Sequence, residues 1–183
     1  MSQRALDLLR ERHADAVLET GSHVGDEIAL VRKDSIFAVL RTLRDDASLS
    51  FDMLTDLTVV DYLGQKPRFE VVYQLYSLRY KHRLRVKAPI MDESATECWI
   101  DSVTPLWKAA NWAEREAWDL YGVEFRGHPD LRRIFMYDEF VGYPLRKDYP
   151  VNGRQPLIRR PDAPPTDDLT TRLQSGSHDR RVE

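Results

Sequence analysis

The chain has 183 residues, of which 42% are hydrophobic and 31% are charged, and its formal net charge is −3. This length allows one domain with its own core, and because acidic and basic residues are mixed along the chain, no basic face predicts nucleic-acid binding. No stretch reaches the roughly 18–20 apolar residues of a membrane-spanning helix, and the charged N-terminal residues do not resemble a signal peptide.

The first part of the chain predicts two helices with a pair of strands between them. Leucines at helical spacing indicate the first helix, and a glycine-containing turn separates the two strands. Asp34 or Ser35 is placed to cap the second helix, which carries one apolar stripe. The predicted elements are a helix over residues 3–16, strands over residues 16–19 and 27–32, and a helix that ends at Leu43.

The middle of the chain is predicted to be rich in strands. Alternating or β-branched residues fill three segments that turn residues separate. In the last segment Arg83, Arg85 and Lys87 alternate with apolar residues, which predicts one solvated face and one buried face. The order of elements indicates an α+β fold, with helices packed on a mainly antiparallel sheet. The predicted strands are residues 51–63, 69–78 and 83–89.

Motifs that would identify a self-contained enzyme are missing from the sequence. Cys98 is the single cysteine, so this chain alone forms no internal disulfide and no iron–sulfur cluster, which takes about four thiolates. Glu97 and Asp101 flank Cys98, and because this acidic setting disfavours a reactive thiolate, a structural strand position is predicted for it. There is no phosphate-binding loop and no zinc-site spacing of histidines. We therefore expect no catalytic, cofactor-binding or metal-binding residue.

A third helix is predicted before a set of unusual loops. Asn111 and Glu114 have the spacing of a capping box, in which Asn111 caps the helix and Glu114 reaches back to it. An alanine-rich side is predicted to face the core, and Gly122 is the expected left-handed stop. The charged residues predicted on another face of the helix are Arg115, Glu116 and Asp119.

The loops that follow this helix have few core-forming residues but many guanidinium, carboxylate and aromatic groups. That composition is typical of a protein interface. Arg132, Arg133 and Arg146 are each suited to bidentate contacts with carboxylates. The alternative interpretation is that these charges pair with one another on a solvated surface, where each pair contributes little.

We predict one domain followed by a tail. Residues 1–104 form the α+β core, and residues 105–150 add the third helix and the interface loops to the same domain. Residues 151–183 are rich in proline, arginine and aspartate, with few large apolar groups, and are predicted to form an extended tail. We expect that tail to become ordered only where it lies along a partner.

Three segments of the chain carry a resemblance to a known family. They read Glu-Arg-Glu-x-x-Asp-Leu-Tyr-Gly-Val at 114–123, Gly-His-Pro-Asp-Leu-Arg-Arg-Ile at 127–134 and Pro-Leu-Arg-Lys-Asp-Tyr-Pro at 144–150. In order and spacing they resemble the signature of the 30 kDa (C-type) subunit of the proton-pumping NADH:quinone oxidoreductase, respiratory complex I. The strand-rich region upstream fits the α+β domain of that family without identifying it.

The resemblance implies a subunit of that enzyme with no active site of its own. NADH, FMN, iron–sulfur clusters and quinone would be bound by other subunits, and this chain would bind no cofactor. It is expected to dock on the large quinone-site subunit and on neighbouring iron–sulfur subunits, at the cytoplasmic side of the bacterial inner membrane. It would reach the membrane only through the complex and would fix the spacing of partners that transfer electrons.

The resemblance also implies interface and scaffold roles for particular residues. Those that would orient the third helix are Glu114, Arg115, Glu116, Asp119 and Tyr121, with Gly122 in the same segment. Those that would shape the following loop are His128, Asp130, Arg132 and Arg133. Those that would reach the partner are Arg146, Lys147, Asp148 and Tyr149, with Pro144 in the same segment. His128 is expected to be a hydrogen-bonded turn residue rather than a proton donor.

Two other interpretations stay open. The same signature occurs in relatives of complex I, including membrane-bound hydrogenases and ferredoxin- or F420-linked oxidoreductases, where the docking role would be the same and the electron donor would differ. A free-standing small enzyme is the second alternative. It would use His128 or the carboxylates of residues 114–119, and it would require a pocket in which those groups converge.

Overall fold

The computed structural model describes residues 2–90 and 98–155, and it contains helices together with a five-stranded sheet. The predicted α+β class is confirmed. No helix in the described part of the chain is long and apolar enough to span a membrane. The elements are α1 (Ser2–Arg12), β1 (Val17–His23), β2 (Asp26–Val31), a 3-10 turn (Lys33–Ser35), α2 (Ile36–Asp45), β3 (Met53–Asp61), β4 (Phe69–Ser77), β5 (His82–Ile90), β6 (Trp99–Asp101), α3 (Ala110–Tyr121) and β7 (Glu124–Arg126).

The main sheet has the strand order β1-β2-β5-β4-β3. Its neighbouring strands run antiparallel except β2 and β5, which are parallel, with Ala29 opposite Val86. The prediction of a mainly antiparallel sheet is therefore confirmed. Strands β6 and β7 pair with each other in a small parallel sheet. Cys98 is buried directly before β6, and its carbonyl accepts the N–H of Glu124.

One face of the main sheet is buried beneath the helices. In β5 every second residue is buried, from His82 to Ile90, while Arg83 is exposed and Arg85 and Lys87 are half-buried, as the alternation predicts. Burying one large aliphatic side chain stabilises the fold by about 1.5–3 kcal/mol, so an apolar helical stripe is enough to place its helix against the core. The stripe of α2 is Ile36, Val39, Leu40 and Leu43.

Turn geometry accounts for two differences from the predicted boundaries. Helix α1 ends at Arg12 because the carbonyl of His13 accepts N–H groups of a turn that leads into β1. The hairpin strands reach further than predicted, since Val24 and Gly25 both have positive φ (53° and 87°) and make a two-residue turn. Such a turn lets the ladder continue to the pair His23–Asp26.

The predicted cap of α2 is wrong. Ser35 occupies the N-cap position but its side chain makes no capping hydrogen bond, because a 3-10 turn over Lys33–Ser35 leads directly into the helix. Residues 156–183, most of the predicted tail, lie outside the described residues.

Candidate functional site

The third helix carries two carboxylates that are fully buried, Glu114 and Asp119. Glu114 shares a face with Ala110 and Ala117, because residues four and three apart lie on the same side of a helix. A charged group has to be hydrogen-bonded when it is removed from water, since the loss of hydration is otherwise very costly. The two carboxylates meet this requirement by binding two different loops.

Glu114 binds the loop after β6. Its Oε1 accepts the backbone N–H of Val103 at 2.7 Å, and its Oε2 accepts the hydroxyl of Ser102 at 2.6 Å. Burial raises the pKa of Glu114 to about 7, although both hydrogen bonds act in the opposite direction. The predicted capping box is therefore wrong. The helix begins at Ala110, before Asn111, and the Glu114 side chain points into the core instead of back along its own helix.

Asp119 binds the loop after β7. Its Oδ2 accepts three consecutive backbone N–H groups, those of Ile134 at 3.0 Å, Phe135 at 2.8 Å and Met136 at 2.8 Å. Its Oδ1 accepts a hydrogen bond from the Arg133 guanidinium at 2.9 Å. Burial raises the pKa of Asp119, but these donors together outweigh burial and keep the pKa below its ordinary value.

The prediction that Asp119 lies with Glu116 on a polar face is wrong. Glu116 is exposed, whereas Asp119 is fully buried, because four donors replace the water that its carboxylate loses. The sequence does not indicate which of the two acids has such donors. The donors come from a segment of the chain about fifteen residues further on. The spacing of residues within the helix gives no information about that segment.

Arg115 and Arg133 attach the loop after β7 to α3. Arg115 donates from Nε to the carbonyl of Arg132 and from Nη2 to the carbonyl of Arg133, both at 3.0 Å. These bonds lock the backbone that precedes the Asp119 contacts. Arg132 itself is exposed and binds Asp130 at 2.9 Å. The guanidinium of Arg133 also lies within 6.0 Å of the ring centroids of Trp118, Phe140 and Tyr143.

His128 lies in the turn after β7 and uses both ring nitrogens. Its Nδ1 accepts the backbone N–H of Asp130 at 3.0 Å, and its Nε2 lies 3.0 Å from the carbonyl of Asn111. Because Nδ1 accepts a hydrogen bond, the ring proton is on Nε2, and this N–H donates a hydrogen bond to the Asn111 carbonyl. The imidazole therefore connects the turn to the first residues of α3.

The segment 144–150 is fastened to the sheet by a cluster of charges that includes two residues outside the signature motifs, Asp61 and Arg68. Arg68 binds Asp61 through Nε at 2.9 Å and Nη2 at 3.0 Å, and it binds Asp148 through Nη1 at 3.1 Å and Nη2 at 2.8 Å. Asp61 is buried and also accepts the N–H of Lys147 at 2.8 Å. The hydrogen bonds from Arg68 lower the pKa of Asp61 more than burial raises it.

The sequence-based prediction missed the pair of Asp61 and Arg68, although a signal for it exists. Asp61 ends β3 and pairs with Phe69, the first residue of β4. Arg68 directly precedes Phe69, and it therefore lies close to Asp61. Predicting this pair requires the register of the β3–β4 hairpin, and that register depends on the length and position of the connecting loop.

The residues after Tyr143 close over the C-terminal end of α3. Arg146 donates from Nε to the carbonyl of Tyr121 at 2.6 Å, which satisfies a carbonyl that the helix leaves open. Its guanidinium lies 4.7 Å from the ring centroid of Tyr143 and 5.0 Å from that of Phe69. Gly122 ends the helix with φ of 75°, as predicted, and the ring of Tyr143 occupies the space that a Cβ would need.

Bidentate contacts with carboxylates were expected for three arginines, and their contacts with the other described residues are of different kinds. Arg132 binds Asp130 through one nitrogen, Arg133 shares its guanidinium between Asp119 and the Gly142 carbonyl, and Arg146 binds a backbone carbonyl. Each of these bonds lies within the chain. The ring of Tyr149, another signature residue, stacks on Phe140 at 5.9 Å, and Tyr121 and Pro144 are half-buried.

The loops fixed in this way expose large apolar side chains. We define residues 134–142 as the apolar loop; Asp119 binds its first three N–H groups. A contiguous group of exposed apolar side chains marks an interaction surface, and these side chains are close together in the chain. The exposed members are Phe135 (60%), Tyr137 (38%) and Val141 (66%) in the apolar loop and Leu145 (49%) just after it.

The groups considered for a free-standing enzyme bind separate parts of the chain. Glu114 faces Ser102 and Val103, Asp119 faces the start of the apolar loop, and His128 faces Asn111. Each of these side chains binds a different segment of the chain, and no hydrogen bond between them is observed among the described residues.

Comparison with known proteins gives a consistent result. Residues 29–155 match the family described as respiratory-chain NADH dehydrogenase, 30 Kd subunit. The chain is 50% identical over 161 residues to the C-type subunit of NADH-quinone oxidoreductase from Citrifermentans bemidjiense, covering 87% of this chain and 97% of that protein. It is 47% identical over 162 residues to the C-type subunit of the same enzyme from Geobacter sulfurreducens, covering 87% of this chain and 97% of the relative.

Two solved structures share the fold. A trypsin-resistant fragment of Nqo5 superposes with a TM-score of 0.59 at 29% identity, covering 70% of this chain and 99% of the fragment. A chain of the membrane-bound sulfane sulfur reductase, an archaeal respiratory membrane complex, superposes with a TM-score of 0.70 at 20% identity, covering 100% of this chain and 95% of that one. The second likeness concerns the fold alone.

Proposed function

The chain belongs to the family of the 30 kDa subunit of respiratory-chain NADH dehydrogenase, and from this premise we propose that it is a docking subunit of the proton-translocating NADH:quinone oxidoreductase. It docks on the large quinone-site subunit, beside iron–sulfur subunits, at the cytoplasmic side of the inner membrane. NADH, FMN, iron–sulfur clusters and quinone are bound by those other subunits, and this chain contributes no reacting group.

The observation that carries the proposal is the apolar loop fixed by Asp119. A loop without helix or strand would ordinarily lose much conformational freedom on binding, and that loss weakens association. Here three N–H groups and the Arg133 side chain already bind Asp119, so the start of the loop is ordered on folding. The exposed rings of Phe135 and Tyr137 are side chains of the type that anchor interfaces.

The signature residues support this proposal as a scaffold. Arg115, Asp119, Arg133 and Arg146 bind groups within the chain and thereby set the positions of the loops that follow α3. In this proposal the partner meets the side chains that these residues present, and the spacing of the subunits follows from the rigidity of the scaffold.

A second candidate has the same docking role in a related complex with another electron donor, such as a membrane-bound hydrogenase or a ferredoxin- or F420-linked oxidoreductase. The observation in its favour is the fold shared with a chain of the archaeal sulfane sulfur reductase. The electron donor binds elsewhere in such complexes, so the substrate that the purified complex oxidises separates the two candidates.

The test is purification of the tagged chain from gently solubilised membranes, with identification of the accompanying chains and an assay of NADH:quinone activity. Phe135→Ser is compared with Leu78→Ser, because the two side chains are 60% and 59% exposed and only Phe135 lies in the apolar loop. We expect wild type and Leu78→Ser to be recovered with quinone-site and iron–sulfur chains. Recovery with Phe135→Ser should fall about tenfold or more, the effect of losing an interface anchor.

Other results would change the conclusion in defined ways. Hydrogenase or ferredoxin-dependent activity in the purified complex would keep the docking role and change the donor. Recovery of the wild-type chain alone would contradict the proposal. Equal losses for the two variants, with unchanged circular dichroism, would show that the apolar loop is not the contact surface.

A further inference from the structure

The apolar loop ends in an acidic turn. The N–H of Phe140 donates to the carbonyl of Tyr137 at 3.0 Å, which makes Asp138 and Glu139 the two central residues of a β-turn. Both side chains are exposed, and no ion pair joins either carboxylate to another described residue. Residues 134–142 contain these two acids and no lysine or arginine.

Aromatic contacts fix the position of this turn. The ring of Phe140 packs edge-on against Tyr137 at 5.6 Å and stacks on Tyr149 at 5.9 Å. The guanidinium of Arg133 lies 5.7 Å from the centroid of the same ring. Since Arg133 also binds Asp119, the network that orders the start of the loop reaches its tip.

The apolar loop therefore exposes two kinds of side chain, apolar ones on its arms and acidic ones at its turn. Phe135 and Val141 are 60% and 66% exposed on the two arms of the loop, and Asp138 and Glu139 lie between them in the chain. A partner that covers the apolar arms also removes water from the carboxylates. Burying a carboxylate without an opposite charge is very costly, so a neutral or acidic partner surface would oppose docking.

We propose that the apolar loop inserts its acidic turn into a subunit surface that offers an apolar pocket for Phe135 and Val141, rimmed by arginine or lysine side chains that pair with Asp138 and Glu139. This inference rests on the proposed docking function and specifies the chemistry of the surface it requires. Charges placed in this way set the orientation of docking and reject surfaces of the wrong sign more than they add affinity.

The experiment uses the assembled complex and two double variants with the same change of charge. Asp138→Lys combined with Glu139→Lys reverses the turn, and Glu11→Lys combined with Asp15→Lys reverses two exposed acids at the other end of the chain. In parallel, a photoreactive phenylalanine analogue replaces Tyr137, and the cross-linked partner peptide is identified by mass spectrometry.

We expect the turn variant to lose about tenfold or more in recovery of the accompanying subunits at low salt, and to regain part of it at high salt, because salt screens the repulsion. The control should be recovered like wild type, and the peptide cross-linked at position 137 should carry lysine or arginine next to apolar residues. Wild-type recovery of the turn variant, or a cross-link to an acidic peptide, would overturn the inference and leave the docking function standing. A wild-type chain that purifies alone would remove both.

Discussion

Asp119 of the third helix and Arg133 of the following loop form an ion pair of 2.9 Å in which the carboxylate is fully buried and the guanidinium side chain is 16% exposed. The other oxygen of Asp119 accepts three backbone N–H groups. One side chain thus fixes a segment that has no secondary structure of its own. The conformation of the proposed docking surface depends on this contact.

Asp119→Ala should release the apolar loop. The variant leaves a guanidinium and three N–H groups without their acceptor, and breaking a buried pair from one side costs about 3–5 kcal/mol. Hydrogen exchange of the amides of Ile134, Phe135 and Met136 should accelerate by a corresponding factor. Glu116→Ala is the control, because an exposed substitution on the same helix changes stability by less than about 0.5 kcal/mol. Unchanged exchange in Asp119→Ala would contradict the assigned contact.

Glu114 should make the protein less stable as the pH rises. Its carboxyl loses its proton near 4.5 in the unfolded chain and near a pKa of about 7 in the folded protein. Between these values the folded protein binds more protons than the unfolded chain. The free energy of unfolding therefore falls with rising pH, by at most about 1.4 kcal/mol per pH unit. The stabilisation that comes from the protonated Glu114 carboxyl is fully present only below about pH 4.5 and is lost as the pH rises through about 7.

Urea unfolding of wild type and Glu114→Gln at pH 5 and pH 7.5 measures this effect. The glutamine does not titrate, so the stability of wild type relative to the variant should decrease between the two pH values. Glu116→Gln, an exposed neighbour, should follow wild type at both. A difference between wild type and Glu114→Gln that does not change with pH would rule out the raised pKa.

Gly122→Ala should destabilise the fold more than Gly127→Ala. Both glycines have positive φ, 75° and 81°, so each alanine adds the strain of a left-handed backbone, about 1–2 kcal/mol. Only at Gly122 does the new Cβ meet a side chain, the ring of Tyr143; at Gly127 the space is open. Gly122→Ala should therefore lower the free energy of unfolding by more than Gly127→Ala, as measured by chemical unfolding. Its effect should be smaller when it is introduced into a Tyr143→Ala background. Equal losses for the two single alanine variants would show that the ring moves aside freely.

Arg68→Lys should loosen the segment 144–150. A lysine keeps the charge but does not bind Asp61 and Asp148 with two nitrogens each, and a lost hydrogen bond to a charged group costs about 1.5–3 kcal/mol. The amide of Lys147, which binds Asp61, should exchange faster. Arg41→Lys serves as control, because its pair with Asp45 is largely exposed and contributes about 0–1 kcal/mol. If both variants unfold at the same urea concentration, the two-nitrogen contacts of Arg68 with Asp61 and Asp148 do not contribute to the stability of the fold.

Local patterns in the chain were sufficient for the elements that face the core. The alternation in β5, the stripe of α2 and the left-handed stop at Gly122 were all predicted, because each depends on a period or a backbone requirement within a few residues. The signature segments were likewise enough to indicate the family that the comparisons support.

Contacts between distant residues were decided only by the tertiary structure. Glu114 has the spacing of a capping residue, yet the chain brings Ser102 and Val103 close to it, and burial then favours those donors. Asp61 meets Lys147 across 86 positions of sequence. A chain with 30 acidic and 27 basic residues offers very many possible pairs, and no local pattern selects among them. The selection is made by packing, because only the folded chain determines which charges lose water together and must therefore bind each other.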